Sequence, residues 1–176
     1  MEIQLFHIGE EFSHFHYEIF PQDLKRLDRR FAFESVACRL RLKRESDIIR
    51  FFGCYQTVFH TTCDYCLSPA ILELKRKFHL DLVQEGEHAE PEGDTEIHLH
   101  ENDTEYYSGQ ELFVTRYFED QILLDIPIAL LCSETCRGIC TQCGVNKNES
   151  SCECDKEFIN NPFAILRAVA PDIPKG

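Results

Sequence analysis

Eight of the ten cysteines have the spacing of metal ligands. Cys63 and Cys66 form a Cys-x-x-Cys pair, and six more fall within 23 residues near the C-terminus, at Cys132, Cys136, Cys140, Cys143, Cys152 and Cys154. A tight Cys-x-x-Cys turn lets two thiolates converge on one ion at about 2.3 Å, and four sulfurs close a tetrahedral zinc site. Gly144 directly follows Cys143, where such a turn often needs a positive φ. The spacing predicts two zinc ions.

The spacing permits two groupings of these ligands. In the preferred one, each ion takes four cysteines, in the sets Cys63, Cys66, Cys132, Cys136 and Cys140, Cys143, Cys152, Cys154. In the other, the two Cys-x-x-Cys pairs share one ion as an ordinary zinc ribbon, using Cys63, Cys66, Cys140 and Cys143. The order of the residues does not separate these possibilities.

Other chemistries also use clustered cysteines. A Cys-x-x-Cys pair can be a redox motif, and the spacing of Cys136, Cys140 and Cys143 matches an iron–sulfur signature found early in much larger radical enzymes. The first twenty residues lack a secretory signal, and no run approaches the roughly 20 apolar residues that cross a bilayer. We therefore expect a cytoplasmic protein without membrane contact, whose reduced thiols bind zinc.

Catalytic motifs are not evident in the chain. His14 with His16, and His98 with His100, have strand spacing and are expected on solvated strand faces. The sequence contains no GxSxG, Walker A, GxGxxG or HExxH motif. We expect no enzymatic activity and no small-molecule substrate.

A β-sheet must position the first cysteine pair. Apolar residues alternate over 36–42, and residues 48–60 form a second strand pattern in which Gly53 suggests a bulge. Alternation resumes over 70–82, so the pair lies in a turn between two long antiparallel strands. Cys38 and Cys54 lie within these strands and are predicted to be core residues. Further predictions are strands over 3–8 and 14–20 and a short helix over 21–30.

The spacing of apolar residues changes in the second half of the chain. Residues 85–109 are acidic and rich in glycine, and predict a loop with a short strand over 96–100. Helical spacing from Phe113 to Ile128 predicts a helix that Pro127 ends, and a short helix is predicted from Asn161. The fold class is α+β: a mainly antiparallel sheet or partly open barrel, a packed helix and a C-terminal zinc module. We expect a sheet domain over 1–131 and a metal-binding tail over 132–176.

The net charge of −13 disfavours a nucleic-acid backbone as partner and favours a basic protein. The acidic run between Lys77 and Arg116 contains no Lys or Arg and is expected to be a solvated loop, with an acidic docking surface as the alternative. Basic residues concentrate only at Arg26, Arg29, Arg30, Arg39, Arg41, Lys43, Arg44 and Arg50. These side chains are expected to be exposed to solvent on a sheet edge or a helix face.

Four segments together resemble one family. They are CDYCL at 63–67, EDQILLDIP at 119–127, CRGICTQCG at 136–144 and NPFAIL at 161–166. Their order is similar to that of the cysteine-rich branch of the YceD family, over roughly residues 33–169. Other members lack several of the C-terminal cysteines. The resemblance implies a role in accumulation of large-subunit ribosomal RNA, and a gene neighbourhood shared with a small basic ribosomal protein.

Three functions follow from these observations. The leading expectation is a non-enzymatic ribosome-biogenesis factor that contacts large-subunit rRNA precursor or escorts a basic large-subunit ribosomal protein. The first alternative is a thiol oxidoreductase that uses Cys63 and Cys66. The second is a nucleic-acid-binding regulator with a zinc module, whose contacts would come from the basic concentration.

Overall fold

In the part of the chain that the structure describes, seven β-strands accompany one α-helix. The computed structural model describes residues 2–85 and 103–154. Its elements are β1 (Glu2–Gln4), β2 (Ser13–Ile19), β3 (Val36–Glu45), β4 (Ile48–Thr62), β5 (Pro69–Gln84), β6 (Thr104–Tyr107), β7 (Glu111–Phe113) and α1 (Val114–Asp125).

The main sheet has five strands in the order β2-β3-β4-β5-β6. Its first four strands form an antiparallel meander, and β6 adds to β5 in parallel. Strands β1 and β7 form a separate antiparallel pair. The sheet is open, with β2 and β6 at its edges. This confirms the predicted α+β class with a mainly antiparallel sheet that does not close into a barrel. Within the described ranges, no helix is long and apolar enough to span a lipid bilayer.

The core lies between one face of the sheet and α1. Alternate residues of β3 and β4 point into it because side chains of a strand alternate between its two faces. Leu40, Phe51 and Phe59 are almost fully buried there. Cys38 shares this face and is buried, as predicted. Cys54 does not: it pairs with Arg39 in register and lies half-buried on the opposite face, so its prediction as a core residue was wrong.

Helix α1 closes the core with aromatic contacts. Phe118 is fully buried, and its ring lies 5.2 Å from that of Phe78 and 5.6 Å from that of Tyr17, edge to face in both cases. The helix ends at Asp125, before Pro127, as the sequence predicts. Ile128, whose spacing matches the apolar positions of the helix, lies beyond Pro127 and is fully exposed.

Ion pairs fix the middle and the C-terminal end of α1 to other parts of the chain. Glu119 is buried and accepts hydrogen bonds from the backbone N–H of Arg26 at 2.7 Å and from its guanidinium at 3.1 Å. Asp125 accepts a hydrogen bond from Arg76 of β5 at 2.8 Å and another from the hydroxyl of Tyr55. These contacts hold the helix at a defined place on the sheet.

Gly53 serves packing rather than a bulge. The register passes through it without interruption, from Leu40 on one side to Phe78 on the other. A Cβ atom at this position would collide with the ring of Phe78. The predicted bulge was therefore wrong, and the glycine leaves room for an aromatic ring above the strand.

Several other local predictions need correction. Residues 21–30 contain only a 3-10 turn at Pro21–Asp23, and residues 3–8 contain the end of β1 followed by a 3-10 turn at Leu5–His7. The predicted acidic loop ends earlier than expected, because Thr104–Tyr107 pairs with β5. The predicted strand over 96–100 and the helix from Asn161 lie outside the described residues.

Candidate metal centres

The first Cys-x-x-Cys pair occupies the turn between β4 and β5. The backbone N–H of Cys63 donates to the carbonyl of Ser68 at 2.8 Å, and the N–H of Leu67 donates back to the carbonyl of Cys63 at 3.0 Å. Leu67 has a φ of 61°, which is rare for a residue with a side chain. The N–H of Tyr65 lies 3.4 Å from the Cys63 sulfur and donates to it. The turn therefore directs its backbone donors at a sulfur.

The second pair repeats this turn. Cys140 N–H donates to the carbonyl of Val145 at 2.8 Å, and Gly144 N–H donates to the carbonyl of Cys140 at 2.8 Å. Gly144 has a φ of 74°, as its position after Cys143 predicts. The two turns thus have the same pattern of hydrogen bonds, and in both the residue after the second cysteine has a left-handed backbone conformation.

The eight predicted ligands come together in two groups. We call Cys63, Cys66, Cys132 and Cys136 the sheet group, and Cys140, Cys143, Cys152 and Cys154 the tail group. The four sulfurs of each group lie within 4.8 Å of one another. This arrangement corresponds to the first of the two groupings that the spacing permits.

The sulfur geometry fits a tetrahedral metal ion. Bonds of about 2.3 Å to zinc require sulfurs about 3.8 Å apart along the edges of the tetrahedron. In the sheet group, the Cys63 and Cys136 sulfurs are 3.7 Å apart, and those of Cys66 and Cys132 are 3.5 Å apart. Four thiolates leave no position open for substrate. Each group could therefore hold one metal ion in a closed, structural site.

The turns also change the acidity of the thiols. Burial alone would raise the pKa of Cys63, but hydrogen bonds from the N–H groups of Cys66, Tyr65 and Cys132 lower it to about 6. Hydrogen bonds from the N–H groups of Cys143 and Gln142 likewise lower the pKa of Cys140 to about 6. In each group the first cysteine of the pair is thus prepared to be a thiolate, the form that binds metal.

One further cysteine in each group has a strongly raised pKa. Hydrogen bonding to the sulfurs of Cys66 and Cys136 raises the pKa of Cys132 to about 12. Hydrogen bonding to the sulfur of Cys143 raises the pKa of Cys154 to about 12. Thiols this close share protons, since ionising one makes ionising its neighbour harder.

Asp64 ties the sheet group to the chain that follows α1. Its carboxylate accepts hydrogen bonds from the backbone N–H of Leu130 and from Arg30, both at 2.6 Å. Its own N–H donates to the carbonyl of Leu130 at 2.8 Å. The N–H of Leu130, followed by Arg30, lowers the pKa of Asp64. The sequence prediction assigned no role to Asp64. A carboxylate between two thiolates is repelled by their negative charges, so its position in the sequence indicates that it has hydrogen-bond donors or a cation as partners.

Residues just before and within the tail group contact the sheet group and its turn. Ile139 N–H donates to the carbonyl of Tyr65 at 3.0 Å, and Asn146 donates to the hydroxyl of Ser68 at 3.1 Å. The side chain of Asn148 donates to the Cys136 sulfur at 3.4 Å. The sequence prediction missed both asparagines. The Asn-Lys-Asn segment between ligand cysteines could have identified them, since Asn side chains commonly form hydrogen bonds with nearby backbone in turns.

The histidine pair that the structure describes does not join these groups. His14 and His16 lie exposed on β2, as expected for a solvated strand face. His98 and His100 lie outside the described residues. Among the residues that the structure describes, the two cysteine groups are the clusters whose ligand atoms converge closely enough to hold a metal ion.

Comparisons with known proteins agree on one family. The model described as large ribosomal RNA subunit accumulation protein YceD matches residues 53–170, which include both groups. Two plant proteins are named large ribosomal RNA subunit accumulation protein YCED homolog 1, chloroplastic. That of Zea mays is 26% identical over 141 residues, covering 68% of this chain and 48% of its own length. That of Arabidopsis thaliana is 33% identical over 48 residues, covering 27% and 15%.

The chain therefore spans less than half the length of these two relatives. No solved structure matches it.

Proposed function

Because the chain belongs to the YceD family, whose name implies a role in accumulation of large-subunit ribosomal RNA, we propose that it is a non-enzymatic ribosome-biogenesis factor. It acts by binding a large-subunit rRNA precursor or a basic large-subunit ribosomal protein. The observation that carries this proposal is the family match over residues 53–170, which includes β5, α1 and all eight clustered cysteines. The proposed location is the cytoplasm, whereas both plant relatives are named as chloroplastic.

The metal sites have a structural role in this proposal. Each group holds one zinc ion, because a closed set of four thiolates at tetrahedral spacing suits zinc and leaves no position for catalysis. The sheet group joins the β4–β5 turn to residues that follow α1, and so anchors a tail domain from 132 onward to a sheet domain. The ligands are then the eight cysteines Cys63, Cys66, Cys132, Cys136, Cys140, Cys143, Cys152 and Cys154.

Metal analysis of the purified chain tests the zinc assignment. Elemental analysis should give about two zinc ions per chain. Thiol titration of the native protein should find only Cys38 and Cys54 without a metal, and a slow reaction at buried Cys38. Iron with sulfide and a visible absorption band would contradict zinc. Eight reactive thiols and no metal would instead support the thiol oxidoreductase alternative.

Depletion of the protein in its host tests the biological role. Mature large-subunit rRNA should fall and its precursors should rise, while small-subunit rRNA provides the internal reference. Free small subunits should accumulate in sucrose gradients, and the plasmid-borne chain should restore the profile. Unchanged large-subunit rRNA and an unchanged gradient after depletion would refute the role.

A further inference from the structure

The face of the main sheet that points away from α1 carries an organised set of side chains. The register places them in rows that run across the strands from β2 or β3 to β5. The rows are Glu18, Ala37, Gln56, Lys75; His16, Arg39, Cys54, Lys77; His14, Arg41, Phe52, His79; and Lys43, Arg50, Asp81. We call this set the outer face. These rows carry six basic and two acidic side chains, and Glu45 and Glu73 add two further acidic side chains at the ends of the same face. The net charge of the whole chain is −13.

Four of the basic side chains are available to a ligand. Arg39, Arg41, Lys75 and Lys77 are exposed, and among residues 2–85 and 103–154 none of them forms an ion pair. The other two differ, because Lys43 and Arg50 are paired with Glu45, and Arg50 also with Asp81. The unpaired charges occupy β3 and β5, the two strands that flank β4. They are arranged to contact several phosphates of one extended chain.

Aromatic rings lie beside these charges. Phe12, which is 40% exposed, packs edge to face on Phe52 at 5.7 Å between ring centres, and Phe52 stacks on His79 at 6.2 Å. The guanidinium of Arg41 lies 5.3 Å from the ring centre of Phe12 and 5.5 Å from that of Phe52. Rings and a guanidinium plane on a sheet surface provide stacking partners for nucleic-acid bases.

Two adjoining grooves cross this surface. One, of about 710 Å³, is lined among others by His16, Arg39, Gln56, Lys75 and Lys77. The second, of about 480 Å³, is lined among others by His14, Arg41 and Phe52. Arg39, Cys54 and Lys77 line both. The grooves therefore join into one path that leads from the lysines of β5 to the ring of Phe52, on which Phe12 packs.

We propose that the outer face binds single-stranded RNA, with phosphates on Arg39, Arg41, Lys75 and Lys77 and a base stacked at Phe52. This inference rests on the proposed function and decides between its two classes of partner. A basic ribosomal protein would be repelled by this surface, whereas a phosphate chain is attracted to it and repelled by the rest of the molecule. Single strands are favoured because a base inside a duplex cannot expose its flat surface to the aromatic rings.

Fluorescence anisotropy of the full zinc-loaded chain with a labelled 12-nucleotide single-stranded RNA tests the proposal. The triple variant Arg39→Glu, Arg41→Glu, Lys77→Glu should bind at least about tenfold more weakly than wild type. Its slope of log affinity against log salt should be shallower by about 2, because three phosphate contacts are lost. Phe52→Leu should weaken binding about tenfold with an unchanged salt slope, and Phe52→Tyr should restore it.

A matched triple variant controls for net charge. Lys25→Glu, Arg29→Glu, Arg116→Glu changes the net charge by the same amount at exposed positions away from the outer face. It should retain wild-type affinity within about threefold. Circular dichroism and zinc content establish that each variant is folded. Equal weakening by both triple variants would overturn the proposal, as would wild-type protein that binds a duplex of the same sequence more tightly or binds neither RNA.

Complementation separates this inference from the proposed function. In depleted cells, the outer-face triple variant should fail to restore large-subunit rRNA, and the control triple variant should succeed. If the outer-face variant restores rRNA fully, the RNA-binding face is refuted while the ribosomal role stands. If depletion itself leaves rRNA unchanged, the ribosomal role is refuted whatever the anisotropy shows.

Discussion

The sheet group and the tail group use the same turn in different surroundings. In both, the first cysteine of the pair exchanges hydrogen bonds with residues four and five positions later, and the residue after the second cysteine has a positive φ. Their burial differs: Cys63 and Cys66 are buried, whereas Cys143 is exposed. Identical local geometry therefore supports two sites with different structural consequences.

The two groups also join different lengths of chain. The sulfur contacts of the sheet group link residues 73 and 66 positions apart. The tail group lies entirely within residues 140–154. Closing a long loop removes more freedom from the unfolded chain than closing a short one. We therefore expect the sheet group to stabilise the whole fold and the tail group to organise mainly its own segment.

Single cysteine substitutions should reveal the largest difference. Cys63→Ser should lower the melting temperature by more than about 10 °C, because it removes a ligand that joins sheet and tail. Cys143→Ser should lower it by less than about 3 °C. Each variant should lose about one zinc ion, as measured by elemental analysis. Cys54→Ser belongs to neither group and should retain both ions. Equal destabilisation by the two ligand variants would contradict the distinction.

The carboxylate next to the sheet group should have an intermediate effect. Asp64→Ala should lower the melting temperature by about 5 °C, because it leaves the N–H of buried Leu130 without its acceptor. Asp64→Asn keeps an acceptor oxygen and should lose about half as much. Glu153→Ala is the matched change in the tail group, since Glu153 is exposed between two ligands, and it should have no measurable effect on the thermal midpoint.

The residue after each pair should produce the smallest effect, with opposite signs in the two groups. Gly144→Ala should weaken zinc binding to the tail group by about 1 kcal/mol, or about fivefold in competition with a chelator. The added Cβ would meet nothing within 4 Å, so only the positive φ opposes it. Leu67→Gly should instead stabilise the chain by about 0.5 kcal/mol, because relief of strain exceeds the added freedom of the unfolded chain.

Gly9→Ala provides the control for these substitutions. Its Cβ also meets nothing within 4 Å, but Gly9 does not have a positive φ. Chelator competition and denaturant unfolding of this variant should match wild type. If Gly9→Ala and Gly144→Ala behave alike, backbone conformation is not the cause.

The alternation of apolar residues predicted the long strands, but it did not predict the face on which every residue lies or every pair of neighbouring strands. Val36, Cys38, Leu40 and Leu42 face the core as expected, because only one face of β3 is apolar. Residues 48–60 are apolar on both faces, so the pattern could not assign Cys54 to the outer one. The pairing of β6 with β5 joins residues 23 positions apart, such as Asp81 and Thr104, and local patterns do not encode such contacts.

The basic residues that cluster in the sequence between Arg26 and Arg50 have different surroundings in the structure. Arg26 and Arg30 pair with acidic residues elsewhere, at Glu119 and Asp64. Arg39 and Arg41 instead join Lys77, which is distant in sequence, through the register of three strands. The sequence prediction therefore recognised the basic residues of β3 without the lysines of β5 that complete the outer face.

The sequence by itself determined the chemistry of the cysteines and the form of their turns. Those features depend on residue type and on hydrogen bonds within about five positions, such as Cys140 with Val145 and Gly144. Tertiary structure alone decided which cysteines share a group, which of them are buried and which basic side chains share a face. Those outcomes depend on contacts between distant segments, and the energy of such contacts is absent from any local pattern.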